Sequence, residues 1–400
     1  MTQLLTPEES GLVASLRGKD AHWVALSVKA SPSVRPSVVA EQVDGWNRLA
    51  VKVPSWCEAD GLYFPFPLAI QQCSSEAVAR WRASLVCGDG LLDLTGGLGV
   101  DCFFMGRGLQ AVTYVDADER AVAAARNNFS LLGGSNTRFV CASAEDYLRD
   151  HKEAVSTIFI DPARRSSSGG RVFQISDCSP DVSRLADDML SVADVVLIKL
   201  SPLLDVSLAM SQVSAVSDVY AVGHSGECKD LMLRLSKAAS GAPRLHAVNI
   251  GKGGEVSCFS FTKEEELDAQ SEAGAEISVG AYLFEPSPVI MKMAPFRLIA
   301  KRYGLRQIAP STHIFVSSAF VADFPGRRFV VRGVFDNTKR SLAALKEQCH
   351  EASIVVRNFP IKAEELRRKL DLKESDSSFL FGVTDSEGRK LLLLCERAVS

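Results

Sequence analysis

From residue 91 onward, short apolar runs alternate with longer segments whose apolar positions recur at helical spacing. The runs are LLDL (91–94), AVTYVD (111–116), TRFVCA (137–142), TIFID (157–161), VVLIKL (195–200) and DVYAVG (218–223). Their length and β-branched content predict strands. Between the second and third, Val122, Ala125, Phe129 and Leu132 are spaced three, four and three apart, one helical face, and Gly133 and Gly134 end it. Asp118 stands where a helix N-cap belongs. Strand, helix and strand in repetition predict parallel βαβ units with right-handed crossovers, hence an α/β, doubly wound, Rossmann-like sheet. RLHAVNI (244–250) and SCFSF (257–261) predict antiparallel edge strands that finish it.

The flanks read differently. Residues 1–71 predict a helical leader broken at Pro32, Pro36 and GLYFPFP (61–67), after which Ser74 and Ser75 are placed to cap a helix over 76–86. TKEEELDAQSEAGAE (262–276) predicts a linker or surface excursion. Beyond it, FPGRRFVVRGVF (324–335) reads as a turn and strand, SIVVRNF (353–359) as a strand, and KAEELRRKLDL (362–372) as a helix. A DSEG turn between two apolar runs then predicts a closing hairpin.

Length makes this more than one domain, because a single core stops growing near ~250–300 residues. With 46% hydrophobic and 23% charged residues, a disordered or low-complexity chain is excluded. No apolar run approaches the ~20 residues that span a bilayer, and the first residues lack the pattern of a signal peptide. The ten cysteines form no CxxC pair, so no metal site is predicted, and free thiols point to a reducing cytoplasm. Charge is uneven: residues 286–340 hold 10 basic and 2 acidic residues, whereas the whole chain has a net charge of −3. A basic segment on an acidic body predicts a polyanion-facing module, or else a solvated basic face.

The chemistry concentrates at strand ends. LLDLTGGLGVD (91–101) ends a buried strand in Asp93 and turns through Gly96, Gly97 and Gly99 into the next helix. Glycines there let backbone approach a ligand at the carboxyl end of a parallel strand. A dinucleotide loop would read GxGxxG, but Cys102 stands where its third glycine belongs. The leading acid repels a pyrophosphate and suits a cation such as S-adenosylmethionine; the alternative is a structural turn. Asp116, 17 residues past Gly99, can accept both ribose hydroxyls. Ser143, in CASAEDYL, can meet an adenine edge, or sit in a plain loop. IFIDPARR (158–165) places Asp161 and Pro162 where a methyl acceptor belongs, or is a proline turn. Lys199, in an apolar strand, needs a carboxylate such as Asp161. Cys178 could act as a nucleophile, but no base accompanies it, and an inert thiol is the simpler reading.

These stations resemble the class I S-adenosylmethionine-dependent methyltransferases. DLTGGLG is similar to their first motif, VDAD to their ribose acid and ASAED to their adenine loop, which implies cofactor contacts at Gln72, Asp93, Thr95, Gly97, Gly99, Asp116, Ser143 and Ala144. IDPARR resembles the Asp/Asn-Pro-Pro-aromatic loop of base N-methylating enzymes, implying Asp161, Pro162 and Arg164 as catalytic residues. Ala163 and Arg164 replace its second proline and aromatic. With LAIQQCSSEAVARWRA and RNFP included, the chain resembles bacterial methyltransferases carrying ferredoxin-like and THUMP-like C-terminal domains. That resemblance divides it into a leader (1–71), a methyltransferase domain (72–276), a ferredoxin-like domain (277–325) and a THUMP-like domain (326–400). It implies RNA as partner, tRNA or rRNA, and charge adds Lys292, Arg297, Lys301, Arg302, Arg306, Arg327, Arg328 and Arg332 as phosphate contacts. The competing readings are a protein or small-molecule methyltransferase and an RNA-binding protein with a vestigial pocket.

Overall fold

The computed structural model describes residues 4–134, 136–164 and 174–398, except for the side chains of Leu68 and Arg164. The chain divides into two compact units, residues 1–243 with 249–256, and residues 244–248 with 257–400.

The first unit opens with α1 (Pro7–Ser15), α2 (Ala21–Ser27) and α3 (Pro36–Lys52), which enclose a small core around Val24, Val39 and Val43. α4 (Pro67–Gln72) and α5 (Glu76–Ala83) lead into the sheet. Ser75 occupies the N-cap position of α5 but makes no side-chain cap, and the neighbouring Ser74 hydroxyl is turned to Asp101. There follow β1 (Gly90–Asp93), α6 (Val100–Met105), β2 (Ala111–Asp116), α7 (Glu119–Leu132), β3 (Thr137–Cys141), α8 (Ala144–Asp150) and β4 (Val155–Ile160). Two short strands, β5 (Ala163–Arg164) and β6 (Cys178–Ser179), pair with each other. α9 (Val182–Val192), β7 (Ala193–Leu200), α10 (Val206–Ser211), β8 (Val216–His224) and β9 (Glu227–Ser236) complete the unit.

Among the strands of this unit the sheet order is β8-β9-β7-β4-β1-β2-β3. β7, β4, β1, β2 and β3 are parallel, as the βαβ rhythm predicts. β9 was not anticipated, and it runs antiparallel to both β7 and β8. Its sequence, ECKDLMLRLS, follows β8 after only Ser225 and Gly226, so a tight hairpin replaces a crossover helix there. α7 keeps its expected caps: Asp118 accepts from the Arg120 amide, and Gly133 closes the helix at φ 81°. Its Phe129 is buried against Trp56, Phe103, Tyr114 and Phe139, a cluster that fastens α7 and α6 to the leader. Burying one such ring contributes ~1.5–3 kcal/mol.

β10 (Arg244–Ile250) and β11 (Val256–Phe261) are neighbouring strands. Where the sequence predicts a linker or surface excursion, Thr262 and Glu265 form a capping box that starts α11 (Lys263–Asp268). The second unit continues with β12 (Tyr282–Pro286), α12 (Pro288–Met293), α13 (Phe296–Tyr303), β13 (Arg306–Gln307), β14 (Phe315–Ser317), β15 (Gly326–Asp336), α14 (Lys339–Gln348), β16 (Ser353–Arg357), α15 (Ala363–Leu370), β17 (Ser378–Thr384) and β18 (Lys390–Arg397). One seven-stranded sheet, β13-β14-β12-β15-β18-β17-β16, runs through it. Strand alternation sorts its side chains: Phe381 and Leu393 enter one core with Leu283, while Leu380 and Leu392 enter another beneath Leu345 of α14 and Leu366 of α15.

Among the described residues no helix is long and apolar enough to cross a membrane.

Candidate active site

The carboxyl ends of β1, β2, β3 and β4 open on a cleft of about 400 Å³. Its walls are the β1–α6 loop, Asp116 and Ala117, Ser143 to Glu145, Asp161 and Ala163, with Phe66, Gln72 and Ser179–Pro180 at the margins. A parallel sheet places its ligand crevice at that edge.

The glycine loop is built around its hydroxyl and carboxylate partners. Gly97 takes φ 54°, and its amide donates to Asp116 Oδ2 at 2.8 Å. Asp116 Oδ1 accepts from the Asp118 amide, also at 2.8 Å, so the carboxylate is held from both sides. The Tyr114 hydroxyl donates to the Gly97 carbonyl at 2.5 Å, and Gly96 leaves room for that ring: a Cβ there would stand 2.0 Å from Tyr114. Gly99 is left-handed at φ 88°, and a Cβ there would meet Phe129 at 2.7 Å. These glycines therefore serve turn geometry and close packing together.

Thr95 joins the glycine loop to the β4 loop. Its amide donates to Asp93 Oδ1 at 3.0 Å, while its Oγ1 accepts from the Asp161 amide at 2.6 Å. Lys199, from β7, places its ammonium 2.5 Å from Asp161 Oδ2, the partner its apolar strand required. Burial and Asp161 act on this lysine in opposite directions, and Asp161 prevails, raising its pKa. Burial raises the Asp161 carboxyl against the opposing pull of Lys199.

Sequence reasoning passed over Asp101, although it lies within the quoted DLTGGLGVD. It lines the cleft in the first turn of α6 and pairs with Arg82 of α5, a fully buried guanidinium that also pairs with Asp230 of β9. Ser74 closes the group, donating to Asp101 at 2.7 Å and accepting from Arg82 at 2.6 Å. Burial would lift Asp101, but Arg82 overcomes it and holds the carboxyl below its ordinary range. Among the described residues, Asp93 has no such cation. Burial, with Asp101, Asp116 and Asp161 nearby, pushes its pKa well up. The available signal was an acid just inside a helix start, a feature too common to single out.

The other predicted residues fall as follows. Gln72 and Ala144 line the cleft. So does Ser143, but its hydroxyl is engaged as the N-cap of α8, accepting from the Asp146 amide at 3.0 Å and donating to Asp146 Oδ2 at 2.7 Å. Pro162 is buried directly after Asp161. The Arg164 side chain and Arg165 lie outside the described residues. Cys178 is buried in β6, and Cys73, at the cleft margin, has its thiol pushed up to about 11 by burial.

In the second unit the basic residues are more engaged than the charge count implied. Arg302 pairs with Glu265, Arg306 with Glu272, Arg332 with Glu396, and Arg327 with the buried Glu285, which Arg357 also holds. Arg328 donates to the Ala322 carbonyl. Arg297 and Lys301 are exposed on α13 without an ion-pair partner among the described residues. Lys292, on α12, is half-buried.

Residues 282–325 match the ferredoxin-like domain family and residues 326–397 the THUMP domain-like family. A crystal structure described as a candidate methyltransferase from Porphyromonas gingivalis W83 is 29% identical, with a TM-score of 0.89 over 99% of this chain and 100% of that one. An rRNA methylase from Streptococcus thermophilus is 16% identical, with a TM-score of 0.31 over 40% of this chain and 94% of that one. A candidate methyltransferase from Escherichia coli is 18% identical, with a TM-score of 0.31 over 41% and 85%. Scores that low carry no weight for the chain as a whole. None of the curated proteins matches it in sequence. The resemblance drawn from the motifs is borne out: a methyltransferase-type α/β sheet is followed by ferredoxin-like and THUMP-like domains.

Proposed function

We propose that this protein is an S-adenosylmethionine-dependent methyltransferase acting on structured RNA, tRNA or rRNA, in the cytoplasm. One observation carries the cofactor half. Asp93, Asp101, Asp116, Glu145 and Asp161 line the cleft, and among the described residues no lysine or arginine does. Carboxylates such as Asp101, Asp116 and Glu145, with no basic residue beside them in the lining, repel a phosphate and attract a cation. S-adenosylmethionine fits that donor set, since it has an α-ammonium, a sulfonium and no phosphate.

In this reading the two oxygens of Asp116 take the ribose hydroxyls while the Gly97 and Asp118 amides keep the carboxylate in place. Asp101, held ionised by Arg82, faces the ammonium together with Asp93. Gly97 and Gly99 let backbone approach the ligand, Gln72 and Thr95 border it, and Ser143 and Ala144 border the adenine. When bound, the cofactor supplies an electrophilic methyl group on its sulfonium. Asp161 accepts a hydrogen bond from the nucleophile of the substrate, with Lys199 holding the carboxylate and Thr95 the loop. Pro162 and Arg164 flank the acceptor. The THUMP-like domain and the exposed Arg297 and Lys301 support RNA as that substrate. The carboxylate partners of Arg302, Arg306, Arg327 and Arg332 favour the second reading, a protein or small-molecule acceptor.

Calorimetric titration tests the cofactor half. S-adenosylmethionine should bind one to one and ATP should not; binding of ATP alone would overturn the assignment.

A further inference from the structure

β10 and β11 carry reactive side chains that the cleft does not use. On β10, Arg244 and His246 alternate with the buried Leu245 and Ala247; on β11, Cys258 and Ser260 alternate with the buried Phe259 and Phe261. The alternation gathers the polar four on one side of each strand. Ser260 Oγ lies 2.7 Å from His246 Nδ1 and 3.3 Å from Cys258 Sγ, while the thiol and imidazole are 4.0 Å apart. The three groups form a triangle in which the hydroxyl is within hydrogen-bond reach of both thiol and imidazole. Arg302 fixes this strand, donating to the Ser260 carbonyl at 2.9 Å and placing its guanidinium 4.6 Å over the Phe259 ring.

Two described cysteines are exposed, Cys258 and Cys141. Among the described residues, Cys141 has only the Ala117 carbonyl, 3.8 Å away, as a partner. Partial burial would raise the Cys258 thiol, but hydrogen bonds from His246 and Ser260, with the charges of His246 and Arg244, bring it below its ordinary range. In a disulfide exchange the thiolate, not the thiol, is the nucleophile.

We propose that Cys258 is a thiol-modification site, taking up a low-molecular-weight thiol by exchange with its disulfide. The Cys258 proton passes through Ser260 to His246. Cys258 Sγ then attacks one sulfur of the disulfide, a new S–S bond forms to Cys258 and the old one breaks. The departing sulfur leaves with the electron pair and is protonated from His246 or water, so no external oxidant or reductant is needed. Arg244 and His246 of β10 bear on the thiol, while Arg302 of α13, which also pairs with Glu265, and Tyr303, whose ring packs on Phe259, lie behind the strand.

The test uses the full chain and 5,5′-dithiobis(2-nitrobenzoate), whose exchange releases one coloured thiolate per thiol. At pH 7 one thiol should react roughly tenfold faster than an ordinary exposed thiol. Peptide mass mapping of the wild-type chain, stopped early, should place the adduct on Cys258. Cys258→Ser should remove the fast phase and leave that of Cys141. His246→Gln and Ser260→Ala should slow it and move its pH midpoint upward. A first adduct on Cys141, equal rates at the two thiols, or a fast phase indifferent to His246→Gln would overturn the proposal.

Discussion

Lys199 of β7 and Asp161 of the β4 loop form an ion pair at 2.5 Å, with the lysine buried and the carboxylate at the wall of the cleft. The lysine belongs to the packing of the sheet and the aspartate to the site. Breaking a buried pair from one side is costly because a charge is left without a partner, whereas replacing both sides is often nearly neutral.

Asp161→Ala should therefore lower stability by ~3–5 kcal/mol, and Asp161→Ala with Lys199→Met should recover most of it. Methyl transfer should behave differently, falling ~10²-fold or more in both variants. Chemical denaturation alongside single-turnover rates checks this. Transfer restored with stability would make Asp161 a structural partner and nothing else.

Asp116→Ala should weaken S-adenosylmethionine binding by ~1–3 kcal/mol, the range for losing charge-assisted hydrogen bonds to a ribose. The Gly97 and Asp118 amides lose their acceptor too, so circular dichroism must show the fold intact. Unchanged affinity in the folded variant would remove Asp116 from the ribose.

Asp93 gives a pH signature. Its folded pKa is raised well above the ~3.9 of an unfolded aspartate. As pH rises past the unfolded value, the unfolded carboxyl loses its proton while the folded one keeps it, so stability falls with pH until the folded pKa is reached. Asp93→Asn abolishes that titration. Its melting temperature should gain progressively on the wild type as pH rises above ~4; parallel curves would count against a raised Asp93.

Arg297→Glu with Lys301→Glu should weaken RNA binding for every sequence and flatten the slope of log affinity against log salt by about 0.7–0.9 for each lost phosphate contact. These two are preferred to Arg327, whose reversal would put a second carboxylate against Glu285. Filter binding at several salt concentrations decides it, and coincident lines would leave α13 a solvated face.

The sheet was legible because β1 to β4 and β7 are short apolar runs between periodic helices, and the loops at their ends have the composition that a strand-end crevice needs. The hairpin of β8 and β9 was not, because ECKDLMLRLS follows a two-residue turn and its pattern is drowned by the preceding strand. Asp101 lay in a quoted motif, yet its partner Arg82 sits 19 residues away on another helix, and only folding brings them together. The basic residues show the reverse problem. Composition counts charges, but Glu265, Glu272, Glu285 and Glu396 reach four of them through space.

Methyl transfer to RNA can be measured directly. Wild-type protein and the Asp161→Ala, Lys199→Met variant would be incubated with methyl-labelled S-adenosylmethionine and separate tRNA, rRNA and protein fractions. Label should enter an RNA fraction with the wild type and fall ~10²-fold with the variant. Label entering the protein fraction alone, or no fraction at all, would contradict it.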